Sequence, residues 1–125
     1  MKYMIDTHIL LWWLDSPEKI SLNARSIIEN AENQIFVSAA CIWEIVIKKS
    51  VGKLRAPDNL LELLEHENFS GLPIDIDHTM ALAQLPLNHH DPFDRIQIAQ
   101  SIFEESPLIT RDKNILNYDF TFVKG

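Results

Sequence analysis

Four carboxylates stand apart from the other acids of this sequence: Asp6, Glu44, Asp94 and Asp112. Asp6 ends the short β-favouring run Lys2-Tyr3-Met4-Ile5, and Asp112 lies just after the run Pro107-Leu108-Ile109-Thr110. Asp94 falls in the first turn of a long helical pattern, and Glu44 stands in the middle of Ala39–Ile47, a helical stretch that is otherwise wholly apolar. A charge in such surroundings costs several kcal/mol unless a partner or a metal compensates it. Acids that share one crevice repel one another, which raises their pKa values or calls for a cation. Oxygen-only ligands with room for water suit Mg²⁺ or Mn²⁺ better than zinc. Such an ion polarises a phosphodiester and activates a bound water, and a second one would stabilise the leaving oxygen. Phosphodiester hydrolysis is the chemistry these residue types imply.

Each acid also has a purely structural use. Asp6, with Thr7 beside it, suits the N-cap of a first helix, and Asp112 suits the cap of a short helix Lys113–Asn117. Asp91 before Pro92 reads as an N-cap, with Asp94 completing a capping-box-like pair. Glu44 has Lys48 one turn away, but an exposed pair of that kind contributes only about 0.2–0.5 kcal/mol, too little to place an acid in an apolar stripe. Asp15, Asp58, Asp75 and Asp77 fall at turns or helix starts and read as structural, and the adjacent His89 and His90 read as surface residues. Lys48, Lys49, Lys53, Arg55, Arg95, Arg111 and Lys113 are available to steer phosphate, although most such charges are solvated.

The elements that must position these residues alternate in type. Lys2–Ile5 is a strand feeding a helix over His8–Leu14; after the turn Ser16-Pro17, a second helix spans Ser21–Asn33. The strand Gln34–Ser38 leads into a helix Ala39–Val51 with Gly52 near its C-cap. Pro57 opens a leucine-rich helix that Asn68 and Gly71 end; a strand around Leu72–Ile76 and a helix His78–Leu85 follow. The loop Pro86–His90 precedes a helix from Asp91-Pro92 to about Ser106, the strand Pro107–Thr110, a turn with a short helix over Arg111–Tyr118, and a last strand Phe120–Val123. Strands alternating with helices predict an α/β fold whose parallel sheet is covered on both faces. In such sheets ligands bind beyond the carboxyl ends of the strands, where Asp6 and Asp112 fall.

Composition narrows the function classes. With 125 residues, 46% of them hydrophobic, one domain over 1–125 is expected. The single cysteine, Cys41, offers no disulfide framework and no Cys-based zinc site, which fits a reducing cytoplasm. The apolar run Ile9–Leu14 is far shorter than the roughly 20 residues of a membrane span. Being apolar all round, it is expected to be buried or, more readily, to meet a partner through its adjacent tryptophans. Eighteen acids against 11 lysines and arginines give a formal charge of −7, which argues against gripping nucleic acid through bulk positive charge. A polyanionic substrate would need cations to mediate the contact.

Taken together, Asp6-Thr7 after the first strand, Glu44 in the helix after the second, the string His90-Asp91-Pro92-Phe93-Asp94-Arg95 with Ile98-Ala99-Gln100 beyond it, and Thr110-Arg111-Asp112 after a late strand resemble a PIN domain, most closely the VapC-type toxins of type II toxin–antitoxin systems. The resemblance covers essentially the whole chain. It implies a three-layer α/β/α sandwich with a central parallel sheet of about five strands. It also implies Mg²⁺- or Mn²⁺-dependent endoribonuclease activity on RNA, a homodimer, and inhibition by a cognate antitoxin protein whose C-terminal segment occupies a groove near the active site. By that resemblance Asp6, Glu44, Asp94 and Asp112 form the acidic quartet, with Thr7 and Thr110 as supporting hydroxyls; Asp91 belongs to the subgroup's string, and Arg95, Arg111 and Lys48 are candidates for substrate contact. Two other readings are a PIN-like module that binds without cutting and a phosphoacceptor receiver domain. The receiver would need a late-strand Lys followed by Pro, whereas Lys124 is followed by Gly125.

Overall fold

The computed structural model of the chain describes residues 1–86, 91–116 and 122–125. His89 and His90, with the rest of their loop beyond Pro86, and the Tyr118 and Phe120 ends of the last two expected elements lie outside the described residues. The strands are β1 (Lys2–Ile5), β2 (Gln34–Ser38), β3 (Ser70–Leu72), β4 (Leu108–Thr110) and β5 (Phe122–Lys124). They form one sheet in the order β3-β2-β1-β4-β5, every neighbouring pair parallel. The expected parallel α/β architecture is therefore present, with β1 at its centre.

The helices are α1 (Thr7–Asp15), α2 (Leu22–Glu29), α3 (Ala39–Ser50), α4 (Leu60–His66), α5 (Ile76–Ala81), α6 (Pro92–Phe103) and α7 (Lys113–Leu116). Strand alternation sends successive side chains to opposite faces, and the two cores follow that rule. Ile5, Ile35, Val37 and Ile109 join Ile9, Leu10, Ala24, Cys41, Ile45 and Leu64 on one face. Met4 and Leu108 join Leu72, Ile98 and Ile115 on the other, with Phe36 and Phe122 packed against them. The sheet thus separates α1–α4 from α5–α7, giving three layers.

Several boundaries differ from the sequence expectation. The third strand is Ser70–Leu72, pairing Val37 with Gly71 and Ser38 with Leu72, instead of Leu72–Ile76. Asp75 closes a capping box with His78, so α5 begins at Ile76 and hands over at Leu82 to a single 3-10 turn. The second helix stops at Glu29, and the leucine-rich helix starts at Leu60, three residues after Pro57. The Asn68 terminator is borne out, its backbone held in the left-handed region at φ 61°, where asparagine is tolerated. Gly52 adopts φ +73° just beyond α3, as a C-terminal glycine should.

The apolar run Ile9–Leu14 is turned inwards more than expected: Ile9 and Leu10 are fully buried and Leu11–Leu14 pack half-buried against the same core. Among the described residues no helix is long and apolar enough to cross a membrane.

Candidate active site

The chain leaves β1 at Ile5 and turns at once into α1, so Asp6 occupies the carboxyl end of the central strand. Its Oδ1 accepts a hydrogen bond from the Ile9 amide at 2.9 Å, the N-cap geometry expected of it. Its Oδ2 accepts one from the hydroxyl of Thr110, the last residue of the neighbouring β4. The same Thr110 oxygen accepts from the Asp112 amide at 3.1 Å, so Asp112, Thr110 and Asp6 form one chain of contacts across two strand ends. Asp6 is only 3% exposed. Burial raises its pKa above 3.8; the Thr110 and Ile9 hydrogen bonds and the charge of His8 oppose that rise, and the charge of Asp112 adds to it.

Thr7, next in sequence, reaches the other way. Its hydroxyl donates to Glu44 Oε1 at 2.6 Å, and Lys48 Nζ meets Glu44 Oε2 at 2.5 Å. The compensation that an acid in an apolar helix required is supplied by both a hydroxyl and an ammonium, since Glu44 is itself 3% exposed. Lys48 has its pKa raised, first by the hydrogen bond from its ammonium to Glu44 and then by the charges of Glu44, Asp91 and Asp94, against some desolvation. The charges of Asp91 and Asp94, at the start of α6, are thus felt at the ammonium that meets Glu44.

Asp91 caps α6, accepting from the amides of Phe93 and Asp94 at 2.9 and 3.1 Å. That leaves it the structural role that its position before Pro92 suggested, while Asp94 stands in the first turn beside it. Asp112 also accepts at its backbone carbonyl from Ile115 and Leu116, starting α7. Of the basic candidates, Lys48 joins the site directly. Arg111 stands at its edge, Nε donating to the Gly125 carbonyl at 3.0 Å, and Arg95 donates from Nη1 to the Pro86 carbonyl at 3.0 Å.

Four residues, Cys41, Ser38, Gln100 and His78, are buried here without a site role assigned from the sequence. Cys41 is fully buried on α3; burial, the main cause, pushes its thiol up to about 12, with Thr7 opposing the rise and the charges of Asp6 and Glu44 adding to it. It is therefore a neutral packing group at ordinary pH. Ser38 caps α3 and also donates to Gln100 Oε1, while Gln100 Nε2 donates to the Pro73 carbonyl at 3.3 Å. This buried tie links the end of β2, the start of the helix that carries Glu44, and α6. His78, fully buried, stands beside it with Nδ1 3.5 Å from Gln100 Nε2.

Whether these residues suit a cation is decided by their donors and their spacing. The donors are carboxylate oxygens, two of them on deeply buried side chains, steadied by hydroxyls and an amide. Among the described residues no three acidic, histidine or cysteine side chains close on one point as a ready-made cage. An open set of hard oxygens fits a small cation that keeps much of its water, as Mg²⁺ does.

Comparison with known proteins adds independent information. The family model described as "PIN domain" matches residues 3–121. Ribonuclease VapC22 of Mycobacterium tuberculosis is 25% identical over 119 residues, which cover 92% of this chain and 90% of that protein. The fold is similar to that of VapBC2 from Rickettsia felis bound to a DNA fragment from their promoter, with a TM-score of 0.70, 18% identity and coverage of 99% of this chain and 98% of that one. DNA-bound VapBC from Salmonella typhimurium gives a TM-score of 0.72 at 14% identity, covering 99% of this chain and 97% of that one.

Proposed function

This chain belongs to the PIN domain family, and on that premise we propose that it is a divalent-metal-dependent endoribonuclease, the toxin component of a type II toxin–antitoxin pair. The observation that carries the reading is the junction at the end of β1. There the consecutive residues Asp6 and Thr7 tie Thr110 and Asp112 on one side to Glu44 and Lys48 on the other. A site so built, within a domain over 1–125 whose similarity to a named ribonuclease runs nearly end to end, suits hydrolysis of a phosphodiester.

Asp6 and Asp94 are the principal ligands for Mg²⁺ or Mn²⁺, with Glu44 and Asp112 completing the set, directly or through water. When bound, the cation supplies Lewis-acid polarisation of the phosphate and a lowered pKa for water. The chain's own residues do the rest. Thr110 and the Ile9 amide hold Asp6 in one rotamer, and Thr7 does the same for Glu44. Glu44 either completes the ligand set or orients and deprotonates the attacking water. In-line attack at phosphorus leaves a 5′-phosphate and a 3′-hydroxyl. Lys48, Arg111 and Arg95 are the cations that suit contact with the RNA backbone, and with a net charge of −7 the remaining surface discourages non-specific binding.

A groove of about 710 Å³ runs from His8 and Trp12 past Leu11, Leu14, Leu54 and Pro57, with Lys19 and Arg55 among its lining residues. It suits an amphipathic antitoxin segment, and the similar solved structures are themselves of VapBC pairs. The exposed apolar residues Trp43, Val46 and Ile47 on α3 are a surface that a second copy would cover in a homodimer. A reducing cytoplasm, where RNA is at hand, is the compartment this activity fits.

The test is cleavage of a structured RNA by the purified protein with Mg²⁺, with Mn²⁺, and with EDTA. Fragments that end in 5′-phosphate and form only with metal support the proposal. Cleavage unaffected by EDTA counts against it.

A further inference from the structure

Two cationic side chains adjoin the acids, and they are handled differently. Lys48 meets a Glu44 oxygen at 2.5 Å. Arg111 lines the same cleft of about 300 Å³ as Asp6 and Asp112, yet among the described residues it enters no ion pair. A guanidinium suits a carboxylate especially well, because its planar fork meets both oxygens, so other contacts must hold it back. Two do. Its Nε donates to the Gly125 carbonyl at 3.0 Å, and its Cζ stands 5.2 Å from the centroid of the Trp12 ring. Both anchors are themselves fixed. Trp12, on α1, packs part-buried against the main core, with His8 edge-on to its ring. The Gly125 amide donates to the Thr110 carbonyl at 2.8 Å, and a Cβ on Gly125 would run into Ile9 Cδ1, so glycine is the residue that can bring its carbonyl to this place.

We propose that Trp12 and Gly125 are positioning residues: they hold Arg111 off Asp6 and Asp112, so that its charge does not compete with the cation for those carboxylates, and they keep its guanidinium for a phosphate oxygen of the RNA. The inference rests on the nuclease reading above and deepens it. Metal and phosphate call for opposite charges within one cleft, and those charges must not neutralise each other. An arginine suits such a clamp. Its guanidinium is weakly hydrated and permanently charged, so it stacks on an aromatic ring without losing its charge. With Nε engaged by Gly125, both Nη groups remain as donors. Two fixed anchors also remove much of the rotamer freedom that an arginine gives up on gripping phosphate. A lysine in this place would lack both the Nε donor and the flat face. One residue of β4 serves both charges: the Thr110 hydroxyl donates to Asp6, and the Thr110 carbonyl accepts from Gly125.

The test uses the full-length protein and compares the parent with Trp12→Leu, Arg111→Met and the double variant. Mg²⁺ binding is read without RNA, from the rise in melting temperature as Mg²⁺ is titrated. RNA binding is read from KM for one RNA at saturating Mg²⁺ and several salt concentrations. Released from the ring, Arg111 should reach the carboxylates, so Trp12→Leu should raise the Mg²⁺ midpoint by about 2- to 5-fold, as an exposed ion pair supports. Adding Arg111→Met to Trp12→Leu should return the midpoint to that of the parent or below. A merely structural role for Trp12 would not produce that rescue. On the RNA side, Arg111→Met should raise KM by roughly 10- to 150-fold, as loss of a charge-assisted hydrogen bond supports. It should also lower the slope of log KM against log salt by about 0.7. Trp12→Leu should raise KM in the same direction and add nothing to Arg111→Met. If Trp12→Leu fails to fold, Arg111→Met still decides through KM and the salt slope, beside Arg111→Lys, whose untied ammonium should raise the Mg²⁺ midpoint. Trp12→Leu that melts lower but keeps the parental midpoint and KM overturns the proposal. So does Arg111→Met with the parental KM and salt slope, and either result leaves the nuclease reading standing. A parent that neither cuts the RNA nor gains melting temperature with Mg²⁺ overturns both.

Discussion

The Thr7 hydroxyl donates to Glu44 Oε1 at 2.6 Å across 37 positions of sequence, and both groups are buried. Helix α1 is thereby fastened to α3 one residue beyond Asp6. Thr7→Val keeps the shape and removes the donor, leaving a buried carboxylate short of a hydrogen bond. The expected cost is about 1–3 kcal/mol, read from urea unfolding, together with a fall in RNA cleavage. Unchanged stability and activity would mean that Lys48 alone is enough for Glu44.

Asp6 gives a prediction of opposite sign for stability and function. Its pKa is raised above 3.8, mainly by burial, so the folded state holds that proton more tightly than the unfolded chain does. Between 3.8 and the raised value the contribution of Asp6 to stability falls as pH rises, and above that window its charge is a constant penalty on the metal-free fold. Asp6→Asn should therefore stabilise the metal-free protein at neutral pH, by about 0.5–2 kcal/mol, while abolishing cleavage. Saturating Mg²⁺ should raise the melting temperature of the parent and leave the variant where it was. A destabilised Asp6→Asn would show that the hydrogen bonds from Thr110 and Ile9 outweigh the burial of charge.

Lys48 holds the Glu44 oxygen that a cation would compete for. With its pKa raised by Glu44, Lys48 stays an ammonium at neutral pH. What the pair adds to stability is present below the ordinary lysine range and is lost as pH climbs through the raised value. Because the Lys48 side chain is 38% exposed, that contribution is at most about 1 kcal/mol. Lys48→Met leaves the buried Glu44 carboxylate to Thr7 alone, so it should lower the stability of the metal-free protein and shift the Mg²⁺ midpoint for cleavage to lower concentration. An unchanged midpoint would place the cation away from Glu44 Oε2.

Gln100 joins Ser38 at the start of α3 to the Pro73 carbonyl. Gln100→Leu strands both partners, with an expected cost of about 1–3 kcal/mol. The variant should lose thermal stability in proportion. If its melting curve matches that of the parent, the tie is replaced by water.

The order of elements was legible because alternating strand and helix patterns carry it, and because caps such as Asp6 and Asp91 mark their own positions. The third strand was misplaced because Gly71 reads as a breaker in sequence. At the sheet edge, beside Val37, a residue without a side chain serves as a strand position. The need of Glu44 for compensation could be read from its apolar neighbours, and so could Lys48 as one partner; Thr7 could not be named as the other, because no local pattern connects residues 7 and 44. Gln100 and His78 were invisible as a buried pair for the same reason: each is unremarkable on its own helix, and only tertiary packing brings them together. Burial and partner contact both stayed open for Trp12 and Trp13 because the sequence does not show how much surface the core offers them; both are part-buried against it.

The central claim is most directly tested by single-turnover cleavage of one RNA with saturating Mg²⁺, comparing the parent with Asp94→Asn made and purified side by side. The account predicts metal-dependent cleavage by the parent and a loss of at least about 100-fold in the variant, in keeping with the loss of a group that acts in the transition state. Equal cleavage by the two proteins would contradict it.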